Sequence, residues 1–315
     1  PVFWYADGLA DAVSPGLSPE ITDEAVLGVE RTLRSYFVVG FQATWRRTSD
    51  ILEERLLVRD SATGGTRLAT AADWERAGTL TGVLPDGTSY AAPFFDLRSG
   101  LSPAGGRLLT NGDRRQDSLG LSLTWEKRLV DGWMTRGHLT WQDWTWQTGP
   151  DFRRYDDPTN TLGSGDDDGA RVAPAVDGLP HDPARFLGGG WSFAASGLVE
   201  LPGHFDLAAT VNGRQGAPLP YYRRAARDRA GIADVQLTGS ADSFRSRDLV
   251  TVDARLGRDF TWRDLGISLG LEVANLLDER AVTARQLDLG VTRGGRADEL
   301  VPPRTLRLGV RLDWR

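Results

Sequence analysis

The chain has 315 residues, 25% of them charged, with 43 acidic against 37 basic residues, a formal net charge of -6 and no cysteine. That balance gives no footprint for nucleic acid, and the missing cysteines exclude disulfides and cysteinyl metal sites. No apolar run reaches the length of a membrane-spanning helix, and a mean hydropathy of -0.33 excludes a helical membrane protein. A membrane β-barrel stays open, because its strands are apolar on one face only and its loops are polar.

Nine segments alternate apolar and polar residues, the period of a strand whose successive side chains point to opposite faces. In 24–33, Ala25, Leu27, Val29 and Leu33 share a face with Arg31. In 37–45, Phe37, Val39, Phe41, Ala43 and Trp45 interleave with small or polar residues. Leu119, Leu121, Leu123 and Trp125 follow, and then Trp133, Leu139 and Trp141. The next pair are 191–201, carrying Trp191, Phe193, Ala195, Val199 and Leu201, and 205–212, carrying Phe205, Leu207, Ala209 and Val211. Val250, Val252, Ala254 and Leu256 make the seventh segment; Leu265, Ile267, Leu269, Leu271 and Val273 the eighth. Leu306, Leu308, Val310, Leu312 and Trp314 make the last.

Connections between segments alternate strictly. Residues 34–36, 128–132, 202–204 and 258–264 are short, while 47–116, 143–190, 215–247 and 276–303 are long. Soluble all-β proteins keep most loops short, whereas outer-membrane barrels have tight turns on one side and long loops on the other. Aromatics also recur at segment ends: Phe37 and Trp45, like Trp133 and Trp141, are eight residues apart on one face. Eight tilted strand residues cover roughly 20 Å of height, close to the apolar band between two aromatic girdles. The reading is therefore an all-β, transmembrane, antiparallel up-and-down β-barrel, with about nine strands in 1–315 and long extracellular loops. If the short turns are periplasmic, the first strand enters from outside. Nine strands are then expected to be the C-terminal part of a larger barrel, because bacterial single-chain barrels have an even strand number.

Three stretches carry a family resemblance. Leu17-Ser18-Pro19-Glu20, continuing through Glu24 to Gly28-Val29-Glu30, resembles the "L-x-P-E … E … G-x-E" stretch in the barrels of TonB-dependent outer-membrane receptors. Asn275-Leu276-Leu277-Asp278 is similar to their penultimate-strand ending. Pro303-Arg304, leading into Thr305 to Trp314, is similar to their closing strand. The nearest likeness is to the large receptors with an N-terminal carboxypeptidase-regulatory-like domain. The resemblance implies a 22-stranded barrel, a plug domain and a TonB box ahead of this segment, and hence TonB-dependent uptake of a scarce ligand across the bacterial outer membrane. Implied partners are outer-membrane lipid, the protein's own plug domain, a TonB-type energy-coupling protein and the barrel-assembly machinery. The family ends on an aromatic, whereas this chain ends on Arg315; Trp314 falls on the lipid face where that aromatic, the assembly signal, belongs.

No catalytic constellation is readable, no cofactor is implied, and an enzyme is not expected. His138, His181 and His204 fall in a strand, a long loop and a turn. The acidic run Asp166-Asp167-Asp168-Gly169 and the pair Asp156-Asp157 match no calcium-site spacing and read as solvated loop. On the polar face, Glu30, Arg46, Arg136, Asp206, Asp253, Arg255, Glu272, Arg307 and Arg311 stand either as pairs along the wall or as contacts for a removable plug. Candidate ligand contacts lie above the membrane: Trp144, Trp146, Tyr155, Tyr221, Tyr222 and Arg223, with Arg224 beside them. Aromatics next to arginine suit an anionic or cyclic ligand, and packing between loops is the competing role. The rival readings are a passive porin or adhesin barrel, and a secreted all-β binding module.

Overall fold

The structure is a computed structural model and describes residues 12–34, 36–112, 115–147 (the backbone alone for 144–147), 157–160, 167–168, 190–238 and 244–314. All nine expected segments are strands: β1 (Ile21–Arg34), β2 (Phe37–Ser49), β3 (Arg115–Val130), β4 (Trp133–Gln147), β5 (Trp191–Leu201), β6 (Phe205–Arg214), β7 (Leu249–Trp262), β8 (Leu265–Ala274) and β9 (Thr305–Trp314). They pair in chain order as one antiparallel meander, with the two-residue strand Asp167–Asp168 added to the end of β4. The fold is all-β and up-and-down.

Register keeps the two faces separate across the whole wall. Ala43 pairs with Leu121 and Leu121 with Trp141, while one residue away Gln42 pairs with Ser122 and Ser122 with Thr140. The same parity runs to the last strand, where Leu271 faces Leu308 and Glu272 faces Arg307. Because side chains alternate, a slip of one residue would exchange the faces wholesale.

Tight turns pin that register, with a one-residue shift just beyond the β3–β4 turn. Asp131 and Gly132 alone join β3 to β4, at φ 57° and 75°. Both central residues are left-handed, the geometry of a type I′ hairpin, and Asp-Gly is the pair that adopts it most readily. Arg263, at φ 55°, serves the two-residue turn between β7 and β8. The connections read from sequence as 128–132 and 258–264 thus shrink to two residues each. The strands continue past the point where Lys127 and Arg258 interrupt the apolar face.

The loop-bearing side is built differently. Loop 1 (50–114) holds the strands Leu52–Asp60 and Leu101–Asn111, edged by Thr66–Leu68 and by Ala12–Val13, and a separate hairpin of Trp74–Val83 with Ser89–Leu97. Loop 3 (215–248) holds the hairpin Tyr222–Ala226 with Ile232–Gln236, and loop 4 (275–304) holds Val282–Arg285 with Ala297–Leu300. One apolar core joins all three: Leu84, Tyr90 and Ala92 from loop 1, Tyr221, Val235 and Leu237 from loop 3, and Leu287 from loop 4. A second, of Val58, Ala69, Trp74 and Leu97, packs with Ala230 of loop 3.

Every buried apolar residue among those described lies on the loop-bearing side, and none lies in the nine-stranded wall. The wall instead exposes Trp45, Leu123, Leu139, Trp141, Leu207, Leu256, Leu269 and their neighbours. That is an apolar face far wider than a monomeric soluble protein leaves in water.

Loop 4 is tied to the wall by the residue that ends β8. Asn275 adopts φ 51° and is almost fully buried. Its Nδ2 donates to Glu279 O at 2.9 Å and Pro302 O at 2.8 Å, and its Oδ1 accepts from Glu279 N at 2.8 Å. Asn tolerates the left-handed region and is a common loop residue for that reason. Asn275→Ala is expected to cost roughly 2–3 kcal/mol, from lost buried hydrogen bonds and backbone strain. Asn275→Gly, which relieves only the strain, falls between. Protease cleavage within 275–304 before the rest of the chain reports the change; equal resistance in all three proteins contradicts it.

Candidate functional site: a polar trough beneath a loop cap

The inner face of β1 to β6 forms a trough of about 860 Å³. Its lining includes Glu30, Thr124, Glu126, Arg128, Arg136, His138, Ser196 and Thr210. These are the polar positions of the alternation, and small partners keep the floor open. Gly40 pairs with Glu30 and Thr124, and a Cβ there would meet Thr124 Oγ1 at 2.7 Å.

Register places all nine proposed inward residues on this face. Glu30 and Arg136 line the trough, and Arg136 Nε donates to Ser196 Oγ at 3.4 Å. Arg46 Nε donates to Glu24 Oε2 at 2.8 Å near the loop end. Arg255 lies 3.7 Å from Glu272, which Arg307 faces from β9, and Arg311 lies 3.1 Å from Asp313. Asp253 Oδ1 accepts the Asn275 N–H at 2.8 Å. Asp206 faces Glu200 on β5 and overhangs Gly257 on β7. The wall is therefore studded with exposed charges of both signs. Exposed pairs of this kind are each worth little to stability and exchange readily with water.

The loop residues separate in a way the sequence did not distinguish. Tyr221 is only 2% exposed and sits edge-on to Phe244 with ring centroids 5.8 Å apart, so it is interior to the cap. Burial raises its hydroxyl above the ordinary tyrosine range, and Tyr222, also partly buried, is raised for the same first reason. Arg223 is half-buried and donates to Tyr90 Oη at 3.2 Å; Arg224 pairs with Asp234 at 3.3 Å. The β4 backbone pairs Trp144 with Ser118 and Trp146 with Gln116. Tyr155, Asp156, Asp166, Gly169 and His181 lie outside the described residues, as does Arg315. Asp157, from the acidic pair, forms an ion pair with Arg227. His204 occupies the β5–β6 turn at φ 61°, far from His138. Among the described residues no group of three His, Asp or Glu side chains converges to hold a metal ion.

Two carboxylates that sequence reading did not single out hold the cap together. Asp96, buried in loop 1, accepts backbone N–H groups from Leu97 at 2.8 Å and from loop 3 at Asp228, Arg229 and Ala230, at 2.9, 3.0 and 2.8 Å. Burial alone would raise its pKa, and the four N–H donors outweigh that and hold it below the ordinary carboxylate value. Asp73 takes both Arg67 nitrogens, at 2.6 and 2.7 Å, together with Thr70 N and Oγ1. Neither carries a motif; each is one aspartate among many in a polar loop.

No family model matches the sequence, and neither does any curated protein. Solved outer-membrane receptors do match along most of the chain. The outer membrane transporter YddB from Escherichia coli is 10% identical over 96% of this chain and 33% of its own, with a TM-score of 0.45. The ferric-catecholate import receptor Fiu from E. coli is 14% identical over 96% and 30%, with a TM-score of 0.46. The ferric enterobactin receptor PfeA from Pseudomonas aeruginosa is 17% identical over 94% and 31%, with a TM-score of 0.47. The chain spans about a third of the length of these structures.

The Asp73 clasp generates a pH expectation. Its pKa falls from 3.8 to about 2, first through the Arg67 hydrogen bond. With the folded value below the unfolded one, the stabilisation is present above about pH 4 and is lost as the pH falls through about 2. It amounts to about 2 kcal/mol. The protection of amides in residues 66–74, taken against the intrinsic exchange rate at each pH, should fall across that window, and Asp73→Asn should remove the pH dependence. A variant that keeps the same acid response would assign it elsewhere.

Proposed function

We propose that this chain is barrel wall and extracellular cap of a TonB-dependent receptor that imports a scarce ligand across the bacterial outer membrane. The observation that carries the reading is the inversion of burial. Nine paired strands turn a face outward that is apolar between its two ends and a charged, open face inward, while every buried apolar side chain among the described residues belongs to the loop-bearing side. Between its two edge strands such a sheet satisfies its backbone internally and presents hydrocarbon to hydrocarbon, which is what a bilayer demands of any spanning structure. Short turns then face the periplasm and the cap faces outside.

The inner face suits transport better than storage. Its charges sit in weak, water-accessible pairs, such as Arg255 with Glu272 and Arg46 with Glu24. A plug domain resting on such pairs could be displaced without breaking apolar packing. Energy would come from an inner-membrane partner of the TonB type acting on that plug. Ligand would be met first by the cap, where Tyr222, Arg223, Trp144, Trp146 and Tyr155 are the proposed contacts. Trp314, outward on β9, is the proposed assembly signal. No covalent chemistry is assigned to this segment.

Two measurements test the membrane placement. In the complete protein, Leu121→Arg is expected to destabilise the barrel by roughly 2–4 kcal/mol, if Leu121 lies near the bilayer midplane. Ser122→Arg, which faces the trough, should be milder. Equal loss of the folded, heat-modifiable gel band would sink the face assignment. Because the chain has no cysteine, single cysteines also report sidedness cleanly. Ala62→Cys in loop 1 should react with an impermeant maleimide on intact cells, and Asp264→Cys in a short turn should react only after the outer membrane is opened. The reverse pattern would invert the topology.

A further inference from the structure

Charges on the outward face are sorted by height. Near the short turns, the outward strand positions carry Arg31 and Arg34 on β1, Lys127 on β3 and Arg258 on β7, and Arg263 follows in the β7–β8 turn. No Asp or Glu occupies an outward strand position in that half. Toward the loops the outward charges include acids: Asp23, Asp117 and Asp143, with Arg47 held by Asp117 at 2.7 Å. The inward face carries both signs throughout.

Three of the short-turn cations are also built in. Arg258 lies between two rings, with Cζ 4.7 Å from the Phe205 centroid and 5.9 Å from that of Phe260. Arg263 Cζ is 5.3 Å from the Trp262 ring, and Lys127 Nζ is 3.9 Å from that of Trp133. Lys127 is buried and donates to the carbonyls of Val130 and Trp133, each at 2.7 Å. None of the five cations has a carboxylate partner among the described residues. Aromatic rings hold the guanidinium plane without neutralising it, so its hydrogen-bond fork stays free for an anion.

We propose that this outward rim binds the anionic headgroups of phospholipids in the periplasm-facing leaflet, with Arg258 in its Phe205–Phe260 cradle as the principal site. The proposal rests on the membrane reading and adds lipid selectivity to it. A phosphodiester at interface depth meets a bidentate donor at Arg258. The remaining cations extend the attraction around the wall, and no outward carboxylate on the strands opposes it.

The test uses the complete protein reconstituted in nanodiscs of phosphatidylcholine alone or mixed with phosphatidylglycerol, with retained lipids counted by native mass spectrometry. Wild type should retain phosphatidylglycerol preferentially. That preference should fall roughly fivefold in Arg258→Gln and again by about the same factor in the double variant with Arg31→Gln. Arg47→Gln, outward but toward the loops, should leave it unchanged. Equal retention of both lipids by wild type, or an undiminished preference in the double variant, overturns the proposal. So does full displacement of the lipid by soluble glycerol phosphate, which would make this a free-phosphate site. Failure to enter either nanodisc would defeat the membrane reading itself, whereas entry without preference defeats only the lipid site.

Discussion

The constraint on which this structure depends is the pairing of backbone polar groups strand to strand, in a register that never lets the two faces mix. In the membrane placement proposed for this wall, N–H and C=O groups cannot be left bare on the lipid side. The meander answers this by giving each inner strand two antiparallel neighbours. Once paired, each residue's face is decided by parity, and turns and bulges decide parity. Arg263-Asp264 allows two residues and no more, so Ile267 meets Phe260; between β3 and β4 a one-residue register shift just beyond Asp131-Gly132 brings Leu123, and not Thr124, opposite Leu139. The inner trough, the outer apolar face and the height-sorted cations are all consequences of that one alignment.

Two kinds of stabilisation share the chain. The loop cap is an ordinary aqueous fold with a dry centre, where Val58 and Val235 are fully buried and polar groups such as Asp96 are satisfied by several N–H donors. The wall has no such centre, and its apolar surface is buried only by whatever solvent surrounds it. The cap core spans three loops anchored on β2–β3, β6–β7 and β8–β9, so the loops are held against one another rather than splayed. Arg223 and Tyr90 sit where loops 1 and 3 meet, which makes the cap a preorganised surface above the trough.

Much of this was legible from periodicity. All nine strands could be read because one face is uniformly apolar, and that is the signal a half-buried strand writes into sequence. Strand ends were less legible. Arg258 breaks the apolar series, so the segment from Arg258 to Asp264 reads as a connection, yet cation–π contact with Phe205 and Phe260 lets the strand run on to Trp262. The loop hairpins were not legible at all. Trp74–Val83 and Ser89–Leu97 carry a few apolar residues among many polar ones, and they hold together through partners far away in the chain, such as Tyr221 and Leu287. Tyr221 shows the same limit in one residue: the sequence offers a tyrosine beside arginines, and only the packing of loop 3 against loops 1 and 4 turns it inward. Asn275 is the converse case: the likeness of Asn275-Leu276-Leu277-Asp278 to a receptor strand ending marked it, and its clasp on loop 4 gives that mark a physical meaning.

The two edges of the sheet set the remaining condition. Among the described residues β1 and β9 each pair on one side only, and Leu308 on β9 is 85% exposed. Strand directions alternate through nine strands, so β1 and β9 run the same way. Joining them directly would need one parallel ladder in an otherwise antiparallel wall, with slanted and less favourable bonds. An antiparallel closure instead takes an odd number of further strands between them. Those strands would have to continue the parity seen here, presenting apolar side chains level with Leu306, Leu308 and Val310 on one side and with Leu27 and Val29 on the other. The register of the nine strands thus dictates the pattern of any strand that completes the wall.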